Sequence, residues 1–594
     1  MRTSPAAALI VSALIESVSG LSKLYPDQQQ DIRQIAIIGA GAAGSTAASY
    51  LQKYAAESGV AINVTIFEKT DHIGGRTLTV NPFDDPAIRL ELGASIFIEK
   101  NKILYDSLAE FGLSKRDPDE GADPTLGIWD GDDFVFTINQ DDSYWWNAGK
   151  AILRYGFLAP RRTQQLMEAT IGKFLKLYEE PYFPFRSLTQ RVYDLDLVRT
   201  TGVTGEQLLK GNNIGNLYAH DIVQASTRVN YASNIGAIHG LDTMVSMAPE
   251  GAMAVAGGNW QIFHKMVEKS GVKLVLNTSI ISIDFAEKSD VDGPAIFQDV
   301  TNDQKVIAAF PLSDDQAAPK ITRDGEESRK YKLISTSESY SNTYDNIIIA
   351  TPWQFANIAA GDGVIQQVID MIPYVRLHVT LFASPFRYSP KFFGKEEGAA
   401  IPATVLTTLS KEDDVSSGVE GAGKAGFFSI STLRKGVNPK TQREEYLYKI
   451  FSPEKVTPEF LTRLYGISVP DTFVDVVDGD VGEQASPISW YYPHVFNSYP
   501  KALPRVTFQD PVVGQGIYYT SGMESFISTM ETNALMGKNV ARLVIDEILE
   551  EEAKVEENGE KSPHRVECDR GGLGALKNGE VPKTRPVQPM FEDV

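Results

Sequence analysis

Three glycines and one carboxylate are the first residues whose spacing suggests chemistry. Residues 34–44 read Gln-Ile-Ala-Ile-Ile-Gly-Ala-Gly-Ala-Ala-Gly, so Gly39, Gly41 and Gly44 stand in the order G-x-G-x-x-G. In that spacing the first glycine permits a tight turn. The second lets the backbone approach a pyrophosphate, and the third lets a helix pack closely on a strand. Glu68 lies 24 positions after Gly44. A carboxylate there accepts hydrogen bonds from ribose hydroxyls and repels a 2′-phosphate, which disfavours NADP.

The elements that must position these groups are also legible. Ile35 to Ile38 is a continuous apolar run, expected of a parallel strand buried on both faces. Ala47, Ala48 and Leu51 follow at helical spacing, so a helix N-terminus offers free N–H groups and a positive dipole end to phosphates. A second strand is expected over 62–67, ending at Glu68. The spacing of glycines alone is weak evidence: Gly421, Gly423 and Gly426 fit it too. There the preceding residues are polar and acidic, and Phe427 to Ile430 reads as a strand. With no helix to hold phosphate, that match is expected to be a flexible loop.

Further along come Ile73-Gly74-Gly75-Arg76 and Leu90-Glu91-Leu92-Gly93-Ala94-Ser95. With these the chain resembles flavoproteins of the amine oxidase and phytoene desaturase type. The resemblance implies FAD, with Gly74 and Gly75 passing the pyrophosphate, Arg76 near the phosphates and flavin, and Gly93 and Ala94 also against the cofactor. It implies that Ile280, in the run Val272 to Ile283, touches the adenine through its backbone. Residues 344–352, YDNIIIATP, resemble a second strand and turn against the dinucleotide, and 516–524, GIYYTSGME, the last FAD strand. Gly522, Glu524 and Met530 then fall at the flavin. Ser528-Thr529-Met530-Glu531 fits a capping box, and a helix starting near 529 would aim its positive end at that site, where reduced flavin gathers charge. An ordinary C-terminal core helix would explain the apolar stripe that follows, but not the Gly-acid strand end. Cys568, the one cysteine, lies beyond these segments, so the FAD is expected to be non-covalent.

A more specific run joins Arg228-Val229-Asn230-Tyr231, Val245-Ser246 and Ala256-Gly257-Gly258-Asn259. It resembles the prenylcysteine oxidase family, also called prenylcysteine lyase. That resemblance implies a FAD-dependent thioether oxidase acting on farnesyl- or geranylgeranyl-cysteine, in the breakdown of prenylated proteins. The carbon attached to sulfur is allylic, so hydride removal leaves a cation shared by sulfur and the alkene. FAD accepts the hydride, water adds, and the hemithioacetal collapses to cysteine and a prenyl aldehyde; oxygen reoxidises the flavin and yields hydrogen peroxide. Two other readings share the FAD motifs: an oxidase of another terpenoid or hydrophobic metabolite, and a FAD- or lipid-binding protein without turnover. Tyr144, Trp145, Trp146, Tyr155, Phe157, Tyr182, Phe183 and Phe185 are candidate walls for an isoprenoid tail, or else domain core. Arg228 is a candidate for the substrate carboxylate or for a buried ion pair. Tyr231 and His494 are further substrate-binding candidates, and no catalytic base stands out.

The expected fold class is α/β: a Rossmann-like FAD-binding domain, parallel sheet plus β-meander, with an interleaved α+β substrate domain. The FAD segments are 31–100, 240–352 and 505–550, and the substrate segments 101–239 and 353–504. A polar stretch, about Glu287 to Ser341, reads as an insertion in the meander. Residues 1–20 have the layout of a signal peptide, and 551–594 that of a disordered tail. With acceptors at Asn63 and Asn277, this suggests the secretory pathway, ending in a lysosome, a vacuole or outside the cell. The net charge of −21 argues against nucleic acid and against a polybasic anchor; no transmembrane span is expected, and a peripheral membrane contact stays open. One cysteine excludes an internal disulfide, and the seven scattered histidines propose no metal site. The expected partners are a small prenyl thioether and oxygen; no oligomeric state follows from the sequence.

Overall fold

The computed structural model describes residues 32–118, 120–139, 141–286, 330–336, 343–473 and 486–557. The apolar run after Gln34 forms strand Arg33–Ile38, the centre of a six-stranded sheet. Asn346–Ile349 and Ile62–Phe67 flank it in parallel register, Ile37 lying opposite both Ile348 and Ile66. Lys273–Val275 and Ile517–Tyr519 extend the parallel sheet on either side, and Val512–Gly514 closes one edge antiparallel.

The pleat sends alternate residues to opposite layers. Ile35 and Ile37 enter a core with helices Ala42–Ser58, Trp260–Ser270 and Met530–Glu557. Ala36 and Ile38 face a second core built on strands Ile280–Phe285 and Tyr331–Ser335. These two strands pair antiparallel within a four-stranded sheet, which is the expected meander. The expected polar insertion, about Glu287 to Ser341, proves too long: Tyr331–Ser335 within it is a strand of this sheet, with Tyr331 and Leu333 in its core, and residues 287–329 and 337–341 lie outside the described residues. Gly537 lets Met530–Glu557 press onto Ala42–Ser58, since a Cβ there would lie 2.2 Å from the Ala43 carbonyl oxygen.

The second part is a seven-stranded, mostly antiparallel sheet running from Trp490–Pro500 to Phe134–Asn139, with Tyr374–Ser384 and Glu444–Ser452 paired inside it. Short helices between 144 and 246 pack beside it. Some residues of the expected substrate segments join the FAD-side core instead: Ile103, Leu104, Phe185 and Leu188 all pack there. The helix from Met530 continues to Glu557, past the expected start of the tail, where Arg33 pairs with Glu551 at 2.9 Å. Residues 1–20 and 558–594 lie outside the described residues.

The second glycine match carries no helix: a short turn, Val419–Gly421, leads to strand Ser429–Val437. The loop is not loosely held, however. The Arg228 guanidinium donates to the carbonyls of Gly421 at 2.9 Å and Ala422 at 2.8 Å.

Candidate active site

A cavity of about 560 Å³ opens where the first strand turns into the first helix. Gly39 makes that turn at φ +106°, and Gly44 lets the helix seat, since a Cβ on Gly44 would lie 1.9 Å from the Gly39 carbonyl oxygen. Gly41 faces the cavity; a Cβ there would meet only Gly75 Cα, at 3.9 Å. Two glycine backbones, 39–41 and 74–75, thus touch beside the N-terminus of Ala42–Ser58, and both leave the cavity wall there bare of side chains. That is the space and polarity a pyrophosphate requires. Glu68 lines the same cavity, its Oε2 accepting from Ala40 N at 2.8 Å and its Oε1 from Thr70 N at 2.9 Å. An ionised carboxylate keeps lone-pair capacity beyond these bonds for ribose hydroxyls.

At the other end, Arg76 donates to Ser498 O at 2.6 Å and to Glu524 Oε1 at 2.8 Å, while the Tyr374 hydroxyl donates to Glu524 Oε2 at 3.1 Å. Arg76, Gly93, Ala94, Glu524 and Met530 all line the cavity. The helix beginning at Met530 also points its N-terminus into it, through Ser528, Thr529 and Asn533. The cap differs from the expected one. Thr529 and Thr532 exchange side-chain-to-backbone bonds at 3.1 Å each way. Glu531 instead caps a different helix, Lys102–Phe111, accepting from Ile103 N at 2.9 Å and Leu104 N at 3.0 Å, and from the Tyr178 hydroxyl at 2.8 Å. Burial pushes the Glu531 carboxyl up to about 7.

A second cavity of about 340 Å³ adjoins the first. Residues 93–94 and 528–530, with Phe451 and Tyr499, line both. Beyond that common wall it is largely apolar, with Phe97, Ile171, Phe174, Leu175, Val245 and Ile527. The wall has a buried support. Asn259 of the Gly-Gly-Asn run donates from its backbone to Glu91 Oε1 at 2.8 Å and from its amide to Ala94 O at 3.1 Å. Lys449 donates to Glu91 O at 2.9 Å and Ser95 Oγ at 3.1 Å. Burial pushes the Glu91 carboxyl up to about 7 and the Lys449 amine down to about 8.

The remaining expected site residues divide. Tyr231 lines the second cavity, edge to face with Tyr499 at 5.6 Å. His494 lines the first, beside Phe496, and burial lowers its pKa. Gly522 lies outside both linings and lets its turn close against Gln509, where a Cβ would come within 2.8 Å. Ile280 also lies outside them, its side chain in the second core. Arg228 cannot be the carboxylate binder. It is fully buried, and its five N–H donors are used on Thr407 Oγ1, Asn234 Oδ1 and the carbonyls of Gly421, Ala422 and Phe427. It clamps the glycine loop through neutral acceptors.

The expected aromatic walls are elsewhere as well. Trp146 and Phe157 are exposed, Tyr155 packs on Phe136 and Tyr218, and Tyr182, Phe183 and Phe185 belong to the FAD-side core. The side chains of Tyr144 and Trp145 lie outside the described residues. The chamber walls that the sequence did not single out had one signal: Ile171 and Phe174 belong, with Met167 and Thr170, to a buried stripe at helical spacing on Leu158–Phe174.

A dinucleotide cradle with an adjoining apolar chamber defines an oxidoreductase of the Rossmann type, and the cradle fits FAD. A model of the NAD(P)-binding Rossmann-like domain matches residues 37–111. The prenylcysteine lyase model matches residues 138–557, and the chain belongs to that family. Farnesylcysteine lyase of Arabidopsis thaliana is 27% identical over 540 residues, covering 87% of this chain and 89% of that one. Prenylcysteine oxidase 1 of Bos taurus is 25% identical over 526 residues, covering 86% and 88%. Among solved structures, cyclohexylamine oxidase from Brevibacterium oxydans aligns over 87% of this chain and 100% of that chain, at 15% identity and TM-score 0.49.

Proposed function

We propose that this enzyme oxidises the thioether of a prenylcysteine, consuming oxygen and water and releasing cysteine, a prenyl aldehyde and hydrogen peroxide. One observation carries the reading: an apolar chamber shares a wall with the dinucleotide cavity, beside the N-terminus of helix Met530–Glu557. Its relatives, a farnesylcysteine lyase and a prenylcysteine oxidase, support it.

Bound FAD supplies a two-electron acceptor for the hydride. The chain's own contribution is placement and dryness. Phe97, Ile171, Phe174 and Leu175 hold the isoprenoid tail, so that the S–CH₂ carbon stops at the common wall. Glu91, Asn259 and Lys449 fix the backbone of 93–95 behind it. The cation left by hydride loss is stabilised by its own sulfur and alkene, so the step needs no side-chain base. Water then adds to the carbon, and the C–S bond breaks as the aldehyde forms. The test is anaerobic titration of the yellow holoenzyme with farnesylcysteine. Bleaching of the visible flavin band, with cysteine and farnesal in equal yield, is expected. A band unmoved by farnesyl- and geranylgeranyl-cysteine sinks the reading, and bleaching by a sulfur-free terpenoid alone replaces it. A secretory destination, in a lysosome, vacuole or outside the cell, is supported by the leader-like N-terminus and by the exposure of Asn63 and Asn277.

A further inference from the structure

The helices Tyr144–Tyr155 and Leu158–Phe174 meet at an elbow around Gly156. Large apolar side chains stand in solvent there: Leu153 is 91% exposed, Phe157 and Leu158 each 58%, and Ile152 47%. Trp146 adds a fifth at 61%. Leu158–Phe174 does have an inward face, carrying Ala159, Thr163 and Met167, so the elbow's outer side chains are surplus to the core. Singly exposed apolar residues need no explanation, but five between Trp146 and Leu158 do.

Charge identifies the partner. The segment 144–167 holds Lys150, Arg154, Arg161 and Arg162 and not one Asp or Glu, in a chain of net charge −21. Arg154 is taken by Asp221 at 2.8 Å and Lys150 by Asp142 at 3.4 Å, which leaves Arg161 and Arg162 as the charges at the elbow. Arg161 lies over the Phe157 ring at 5.8 Å with Arg162 next to it in the chain, so two cations flank the apolar tip. An apolar tip rimmed by Lys and Arg suits the boundary between headgroups and acyl chains, where such helices sit ~5–10 Å deep. A protein partner covering this surface would need an acidic rim; an anionic lipid surface supplies negative charge and hydrocarbon together.

We propose that the elbow at 150–162 docks this enzyme on an anionic bilayer surface. The inference goes beyond the thioether reading and does not depend on it. The opposite end of Leu158–Phe174 presents Ile171 and Phe174 to the apolar chamber, so docking would hold that chamber ~20–25 Å along the helix from the lipid.

Flotation of the holoenzyme with phosphatidylcholine vesicles, alone or mixed with phosphatidylserine, tests this. Tight binding to the mixed vesicles, weaker binding to neutral ones and loss in high salt are expected. Arg161→Glu with Arg162→Glu should weaken anionic binding ~25-fold or more. Leu153→Asp with Phe157→Asp should weaken it ~100-fold. Both variants should keep full flavin content and wild-type turnover of a detergent-solubilised substrate, which separates docking from folding and from the chemistry. Absence of binding to either vesicle overturns the proposal. So does wild-type affinity in both variants. A change of oligomeric state in Leu153→Asp with unchanged lipid binding also overturns it, and makes the elbow a contact between copies.

Discussion

The two adjoining cavities are built from different material. The dinucleotide cradle is made of backbone: Gly39, Gly41, Gly74 and Gly75, one helix N-terminus, and carboxylates whose oxygens are already engaged. The apolar chamber is made of side chains from separate elements, Phe97, Ile171, Phe174, Val245 and Ile527 among them. Backbone walls tolerate no added atom: a Cβ on Gly39 would lie 2.7 Å from the Ala350 carbonyl oxygen and one on Gly74 2.7 Å from that of Thr77, while Gly41 opens on the cavity itself. Side-chain walls tolerate exchange, because one apolar group replaces another at modest cost. The cradle should therefore fail abruptly when altered, and the chamber by degrees.

The largest effect should come from Gly41→Val. A Cβ at Gly41 meets the protein only at ordinary contact distance and otherwise faces the cavity, so the variant should keep its circular dichroism and melting curve while flavin absorbance disappears. A yellow variant with stoichiometric FAD would break the contrast. Arg76→Met comes next. It strands the buried Glu524 carboxylate, so unfolding free energy should fall by about 3–5 kcal/mol in denaturant melts. Glu531 gives a pH test. Its ordinary value is 4.5 and its folded value about 7, so the folded state binds the extra proton. The stability it contributes is full below pH 4.5 and is lost as pH rises through 7, on the order of 3 kcal/mol. Glu531→Gln should flatten that part of the Tm-against-pH curve; an unchanged slope would assign it to other groups, Glu91 first. Glu68→Ala should weaken FAD by ~1–3 kcal/mol in a Kd titration. The smallest effect belongs to the chamber: Leu175→Ala should raise KM about fivefold, or ~1 kcal/mol, with FAD affinity unmoved. The loss should grow with prenyl length.

This difference in material also explains what could be read from the sequence. Gly39, Gly41, Gly44 and Glu68 act through local spacing, and each stands where its spacing implies. The parallel sheet followed from apolar runs such as Ile35–Ile38 and Ile347–Ile349. The chamber has no such signature, because its walls converge from residues hundreds of positions apart. Aromatic content misled there: Trp146 and Phe157 looked like interior walls and face solvent. Arg228 read as a carboxylate binder or as half of a buried ion pair because nothing near it in sequence announces Thr407 or the 421–427 carbonyls. Glu531 sat at a capping position, yet its partners belong to the helix that starts at Lys102.

The stretch that belongs to both cavities has a consequence for the order in which guests arrive. Residues 93–94 and 528–530, with Phe451 and Tyr499, line both cavities, so a guest in one bears on the wall of the other. Affinities tied through common atoms rise or fall together, by the same factor in either direction. Apoprotein should accordingly be a poor receptor for long hydrocarbon tails, and an unreactive tail mimic should slow the escape of the yellow cofactor during dialysis.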